Sequence, residues 1–100
     1  MQALTIQTSN NTRLTPVHVD AKYIKAFNSL RAMFQNSVRL VASRLVKDEE
    51  ITDFITREVF EGAYLEKISI TDRAAASTWL HKRAADLSID YLLMKRCVEA

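Results

Sequence analysis

The chain has 100 residues, of which 48% are hydrophobic, and its formal net charge at pH 7 is +2. A chain of this length forms one domain. A single glycine, Gly62, and a single proline, Pro16, are too few for the many turns of a β-sandwich or barrel. There is no apolar run that could span a bilayer, no signal-peptide pattern, and one cysteine, Cys97. We therefore expect an all-α protein, and a cytoplasmic one because no disulfide can form within the chain.

The small net charge hides two opposed blocks. Residues 1–47 carry seven basic side chains and one acid, whereas residues 48–70 carry seven acids and two basic side chains. Charge segregation of this kind indicates macromolecular partners rather than chemistry. Part of it has a simpler cause, because a helix favours cations at its end and anions at its start.

Residues 1–19 are the least regular segment of the chain. Apolar and polar residues alternate over residues 4–8, and a turn signal follows at residues 9–11. Pro16 restricts the second half to a sheet edge or to a segment that is not a strand. We expect an N-terminal extended arm or a short hairpin here, separate from a helical domain over residues 20–100. A lone hairpin is marginally stable in water, so the arm must lie on a surface.

A long first helix is predicted over residues 21–47. Asp20 is a suitable N-cap for it, and apolar residues then recur every three or four positions, which is the spacing of one helical face. Asn36 and Ser37 are its weakest point, where it could break in two. The predicted apolar face comprises Tyr23, Phe27, Leu30, Phe34, Val38, Val41 and Leu45.

Two further helices are predicted, over residues 48–62 and 71–98. On the second helix and its continuation Ile51, Phe54, Ile55, Val59 and Leu65 share one side, whereas Phe60 points away. The third helix has the most regular seam, Ala76, Leu80, Ala84, Leu87, Tyr91, Met94 and Val98, and Cys97 on its flank is expected to be buried. The fold expected is a small three-helix bundle with a long first helix. Because the seams of the first and third helices are long for such a unit, we expect a homo-oligomer or a subunit of a larger complex.

The basic residues of the first helix form the candidate site. At about 100° per residue, five of its six cations lie opposite the apolar face. A solvated outer face is the simplest explanation, but surfaces usually mix both signs of charge. We therefore expect this face to bind nucleic-acid phosphates or an acidic protein surface, such as the second helix of another copy. The five residues are Lys22, Lys25, Arg39, Arg44 and Lys47.

Residues 12–19, followed by Asp20 and a helix, resemble the start of a ribbon-helix-helix protein. The resemblance implies a dimer whose paired strands enter the major groove of DNA. Pro16 lies within the would-be ribbon, which has only Arg13 for reading bases. The two-helix part of that fold also requires a break at Asn36 and Ser37.

No catalytic or metal-binding motif is legible in the sequence. A glycine-rich phosphate loop, a zinc-type histidine and cysteine spacing and an acidic calcium loop are all missing. His18 and His81 are expected to be ordinary polar positions. We expect no metal and no cofactor, and a non-enzymatic protein that binds a macromolecule as an adaptor, inhibitor or assembly subunit. The alternative is DNA or RNA binding through the basic outer face of the first helix.

Overall fold

A computed structural model describes residues 21–99, which form three α-helices and no strand. The helices are α1, Ala21–Val46, α2, Glu49–Leu65, and α3, Arg73–Glu99. The predicted all-α class and the three-helix bundle are therefore confirmed, although α3 with 27 residues is as long as α1 with 26. The arm predicted over residues 1–19 lies outside the described residues, and the division into arm and helical domain stays a prediction.

The α1 helix is continuous through Asn36 and Ser37, as the single helix predicted over residues 21–47 requires, and the break that was possible there does not occur. The Ser37 hydroxyl donates a hydrogen bond to the carbonyl of Phe34, 3.1 Å away in the preceding turn. The same hydroxyl lies 2.9 Å from Nε2 of His81 on α3. The two-helix division that the ribbon-helix-helix resemblance requires at this point is therefore not found.

A two-residue connection joins α1 to α2. Lys47 adopts a left-handed conformation, with φ 54°, and its N–H donates to the carbonyl of Ser43 at 3.1 Å. Asp48 is the N-cap of α2, and its carboxylate accepts a hydrogen bond from the amide of Ile51 at 3.1 Å. Glu49 and Glu50 then lie in the first turn, where the helix dipole favours anions. The connection holds the last turn of α1 close to α2.

The connection between α2 and α3 covers the first turns of α1. Ile68 and Ile70 pack against the core, and the hydroxyl of Tyr23 donates to the carbonyl of Ile68 at 3.2 Å. Burial, and to a smaller extent Tyr64, raises the pKa of the Tyr23 hydroxyl, so it keeps its proton at neutral pH. Asp72 caps α3 by accepting a hydrogen bond from the amide of Ala75 at 3.0 Å.

The core lies along the line where the three helices meet. The rings of Phe27 and Phe60 pack edge to face, with their centroids 6.5 Å apart. The buried apolar residues of the described chain are Phe27, Leu30, Val38, Ala42, Val46, Ile55, Val59, Phe60, Ala63, Ala76, Leu80 and Ala84.

The predicted apolar side of α2 was partly wrong. Phe60 is only 1% exposed, whereas Phe54 and Leu65 are 52% and 78% exposed. The buried side is centred on Thr52, Thr56, Val59 and Ala63 instead. These residues are small, so α2 can approach both neighbouring helices, and the larger Phe54 and Leu65 are turned outward.

Two apolar positions near the ends of α1 and α3 were also predicted wrongly. Leu45 is exposed, and Ala42 and Val46 occupy the core, because the short connection turns the last turn of α1 toward α2. Cys97 is exposed rather than buried. It lies in the part of α3 that extends past the other helices.

The contact between Ser37 and His81 shows how far α3 extends. Helix α1 runs nine residues past Ser37 to Val46, and nine residues past His81 reach Asp90. Phe27 contacts Phe60 and Arg39 contacts Asp53, so α1 is antiparallel to α2. Gly62 lies beside Trp79, and Ile55 and Tyr91 line one groove, so α3 is also antiparallel to α2. Residues 91–99 of α3 therefore continue beyond the end of α1. Only the first turns of α2 remain beside them within the described part of the chain.

The buried hydroxyl of Thr52 gives a test of this packing. Thr52 is 1% exposed, and its Oγ1 has no hydrogen-bond partner among residues 21–99. We expect Thr52→Val to raise the free energy of unfolding by about 1 kcal/mol, because an unsatisfied buried hydroxyl is removed at little change of shape. Urea denaturation followed by circular dichroism measures the change.

Thr56→Val is the matched control for this prediction. Its hydroxyl is also buried but donates to the carbonyl of Thr52 at 2.7 Å, so the substitution removes a made hydrogen bond. Its free energy of unfolding should not rise. An equal rise in the free energy of unfolding in both variants would show that the stabilisation does not come from the unpartnered hydroxyl of Thr52.

Candidate functional site

The predicted basic site is distributed along the outside of α1. Lys22, Lys25, Arg44 and Lys47 are exposed, as their positions on the helix predict. Lys47 is in the left-handed connection that follows α1 rather than in the helix itself. Whether these residues bind a partner stays a prediction, but their placement makes them accessible to one.

Arg39 is half-buried, whereas the other four residues are exposed, and it forms an ion pair within the chain. Its Nε donates to Oδ1 of Asp53 on α2 at 3.0 Å, and one of its terminal nitrogens lies 2.8 Å from the same oxygen. The carboxylate of Glu49 is 3.6 Å away. The basic and acidic blocks therefore compensate each other in part inside one molecule. Pairing across fourteen positions leaves no periodic signal in the sequence.

Two apolar side chains lie among these cations on the outer surface of α1. Met33 and Leu40 are both 48% exposed. They are seven residues apart, which is about two helical turns, and at about 100° per residue both fall on the side of Arg44 and Lys25. The sequence contains this signal, but the stronger inner seam of α1 obscured it. We call the surface formed by Lys25, Met33, Leu40 and Arg44 the basic face.

A groove of about 450 Å³ lies between α2 and α3. Its floor is apolar and includes Ile55 and the half-buried Leu87 and Tyr91, while the exposed Phe54 and Met94 flank it. Glu58 from α2 and Asp90 from α3 are its charged lining residues, and both are acids. We call this surface the α2–α3 groove; its lining residues are Ile51, Phe54, Ile55, Glu58, Leu87, Asp90, Tyr91 and Met94.

The groove continues along the extension of α3. Tyr91 and Met94 also line a shallower cavity of about 220 Å³, together with Lys95 and Val98. Met94 is 65% and Val98 81% exposed, although both belong to the apolar seam predicted for α3. This half of the seam has no helix packed over it in the described part of the chain. Ile89 and Leu93 are exposed on α3 as well, but they line neither cavity.

His81 takes part in a polar cluster between α1 and α3. Its Nδ1 lies 2.7 Å from the carbonyl of Ser77, and its Nε2 lies 2.9 Å from the hydroxyl of Ser37. An Nδ1–H that donates to the carbonyl of Ser77 makes Nε2 an acceptor, and Ser37 then donates its one proton to Nε2 in place of the carbonyl of Phe34. That is the arrangement of an activated serine. Ser37 is in the middle of α1, however, where backbone amides are used by the helix and cannot stabilise an oxyanion. The cluster therefore cross-links two helices, a role that the sequence did not indicate.

Other features of residues 21–99 add no chemistry. No group of three or more histidine, cysteine, aspartate or glutamate side chains is arranged to hold a metal ion there. None of the three helices described has both the length and the apolar character needed to cross a bilayer. Comparison with protein-family models, with curated proteins and with solved structures found no match to this chain.

The pairing of Arg39 with Asp53 is testable by a double-mutant cycle. We expect a coupling on the order of 0.5 kcal/mol between Arg39→Ala and Asp53→Ala, since both side chains are partly exposed. The coupling should shrink when the salt concentration is raised. Thermal unfolding at low and high salt measures it.

Arg44→Ala serves as the control for that cycle. Arg44 forms no ion pair with the described residues, so it should show no coupling with Asp53→Ala. If Arg44 and Asp53 show the same coupling energy as Arg39 and Asp53, the cycle measures the general attraction of the acidic block rather than a specific ion pair.

Proposed function

We propose that this protein is a non-enzymatic adaptor, inhibitor or assembly subunit that binds a protein partner through the α2–α3 groove. The observation that supports the proposal is one continuous apolar surface along the groove and the extension of α3. Its exposed members include Phe54, Met94 and Val98. A cytoplasmic location is part of the proposal and rests on the single cysteine.

Burying such side chains provides the binding energy. A large apolar side chain contributes about 1.5–3 kcal/mol when it is moved fully from water into an apolar contact. Aromatic and methionine side chains are enriched at protein interfaces, and monomeric proteins rarely leave large apolar patches uncovered. A groove between two helices suits an amphipathic helix, whose side chains at positions i, i+3, i+4 and i+7 fill it.

Nucleic-acid binding through the basic outer face of α1 remains the alternative proposal. Lys22, Lys25, Arg44 and Lys47 are exposed and could contact phosphates. Arg39 already has acidic partners on α2, and the exposed Met33 and Leu40 interrupt the row of cations. A phosphate backbone gains nothing from apolar side chains, whereas a protein partner does. These observations favour the protein partner.

The groove is tested by isolating complexes from the source cells with the double variant Phe54→Gln and Met94→Gln. Both side chains are exposed, so the variant should retain its helical circular dichroism. We expect its recovery of the partner that wild type retains to fall at least about tenfold, because two apolar contacts are lost. Quantitative mass spectrometry of the recovered proteins measures the change.

Leu65→Gln is the matched control, because Leu65 is 78% exposed and does not line the groove. It should recover the partner as wild type does. Equal recovery by wild type and by the groove variant would exclude the groove as the binding surface.

The alternative is tested by a mobility-shift assay with generic DNA and RNA at low salt. A protein that binds proteins through the groove should give no shift. A shift that weakens steeply with salt, and that disappears when Lys25 and Arg44 are both changed to glutamate, would support the nucleic-acid proposal instead.

A further inference from the structure

We infer that the α2–α3 groove of one copy binds the basic face of α1 from a second copy of this chain. The inference rests on the proposed function, because it names the occupant of the same groove. It is argued from the charges, the spacing of the apolar side chains and the neighbours that the two surfaces lack.

The charges of the two surfaces are complementary. The charged residues lining the groove, Glu58 and Asp90, are both acidic. The basic face carries Lys25 and Arg44, and α1 contains no acidic residue along its whole length. Opposite charges of this kind select the partner and orient it, and they disfavour pairing of either surface with itself.

The apolar parts of the two surfaces have the same spacing. Met33 and Leu40 protrude from the basic face seven residues apart, which corresponds to about 10 Å along a helix. Leu87 and Met94 line the groove on α3 and are also seven residues apart. Two turns of α1 therefore match two turns of the groove. Arg44 follows Leu40 by one turn on the same side of α1.

The proposed contact also supplies the neighbour that α3 lacks. Residues 91–99 extend beyond the end of α1 of their own copy, as the register at Ser37 and His81 requires. A helix from another copy in the groove would cover the exposed Met94 and the part of Tyr91 that is still open to solvent.

The contact joins two different surfaces, so it is heterologous. After two copies bind, one groove and one basic face remain unoccupied, and further copies can add head to tail. The average mass should therefore rise with protein concentration and exceed that of a dimer, rather than level off at two chains.

Sedimentation equilibrium over a range of concentrations at low salt tests the inference. Wild type should exceed its monomer mass of 11.4 kDa increasingly as concentration rises. The variant Lys25→Glu and Arg44→Glu reverses the basic face, and Glu58→Lys and Asp90→Lys reverses the groove. Each variant alone should associate at least tenfold more weakly, because like charges then face each other.

Mixing the two variants is the decisive step. The first variant keeps the acidic groove, which fits the unchanged basic face of the second variant. The reversed, acidic face of the first variant fits the reversed, basic groove of the second. An equimolar mixture should therefore associate again. As a matched control, Arg73→Glu and Arg96→Glu makes the same change in net charge as the first variant, away from both surfaces. The control should associate as wild type does.

Two results would overturn the inference. One is a wild type that stays at 11.4 kDa at every concentration. The other is a mixture of the two folded variants that stays monomeric. If either result appears while the variant of Phe54 and Met94 still loses its partner, the self-association is wrong and the proposed function stands. If that variant also keeps its partner, both fail.

Discussion

The parallel register of α1 and α3 is the constraint on which the exposed surfaces depend. The hydrogen-bonded contact of Ser37 with His81 marks this register. Because α2 begins two residues after α1 ends, it starts near the level of that end and does not accompany α3 further. The start of α1 lies beyond the start of α3, where the connection containing Ile68 and Ile70 covers it. The end of α3 has no corresponding cover in residues 21–99. The apolar seam of α3 is thus half core and half surface.

The opposed charge blocks divide into three parts with different physical roles. At the junction of α1 and α2, Arg44, Asp48 and the two glutamates that follow are where helix dipoles and capping favour them. Arg39 joins its acidic partners on α2 and so stabilises the pairing of these helices. A third part, Lys25 of the basic block and Glu58 of the acidic block, forms no ion pair with the described residues, and Asp90, which lies outside both blocks, lines the same groove as Glu58. It is this third part that suits an intermolecular contact.

Periodicity predicted α1 and α3 well, because a long regular seam survives one or two misplaced residues. It failed on α2, where Thr52, Thr56 and Ala63 line the buried side and the larger Phe54 points outward. A prediction based on large apolar residues misses a buried side made of small residues, which let α2 pack closely against the other two helices. The groove was not predictable, since Glu58 and Asp90 come from separate helices. The contacts of Arg39 and His81 span 14 and 44 positions, distances over which local spacing carries no information.

The connection at Lys47 and Asp48 is only two residues long. The loss of chain entropy on forming a helix pair therefore differs among the three pairs. The contacts between α1 and α2 that lie next to the connection, such as that of Arg39 with Asp53 over 14 positions, close short loops of chain. The contact of Ser37 with His81 closes a loop of 44 positions. The entropy of loop closure grows with the logarithm of loop length, so the difference is modest but has a definite sign. Contacts that are local in sequence also form faster than distant ones. The hairpin of α1 and α2 is therefore the pair that the chain assembles at the smallest entropic loss, and α3 docks onto it.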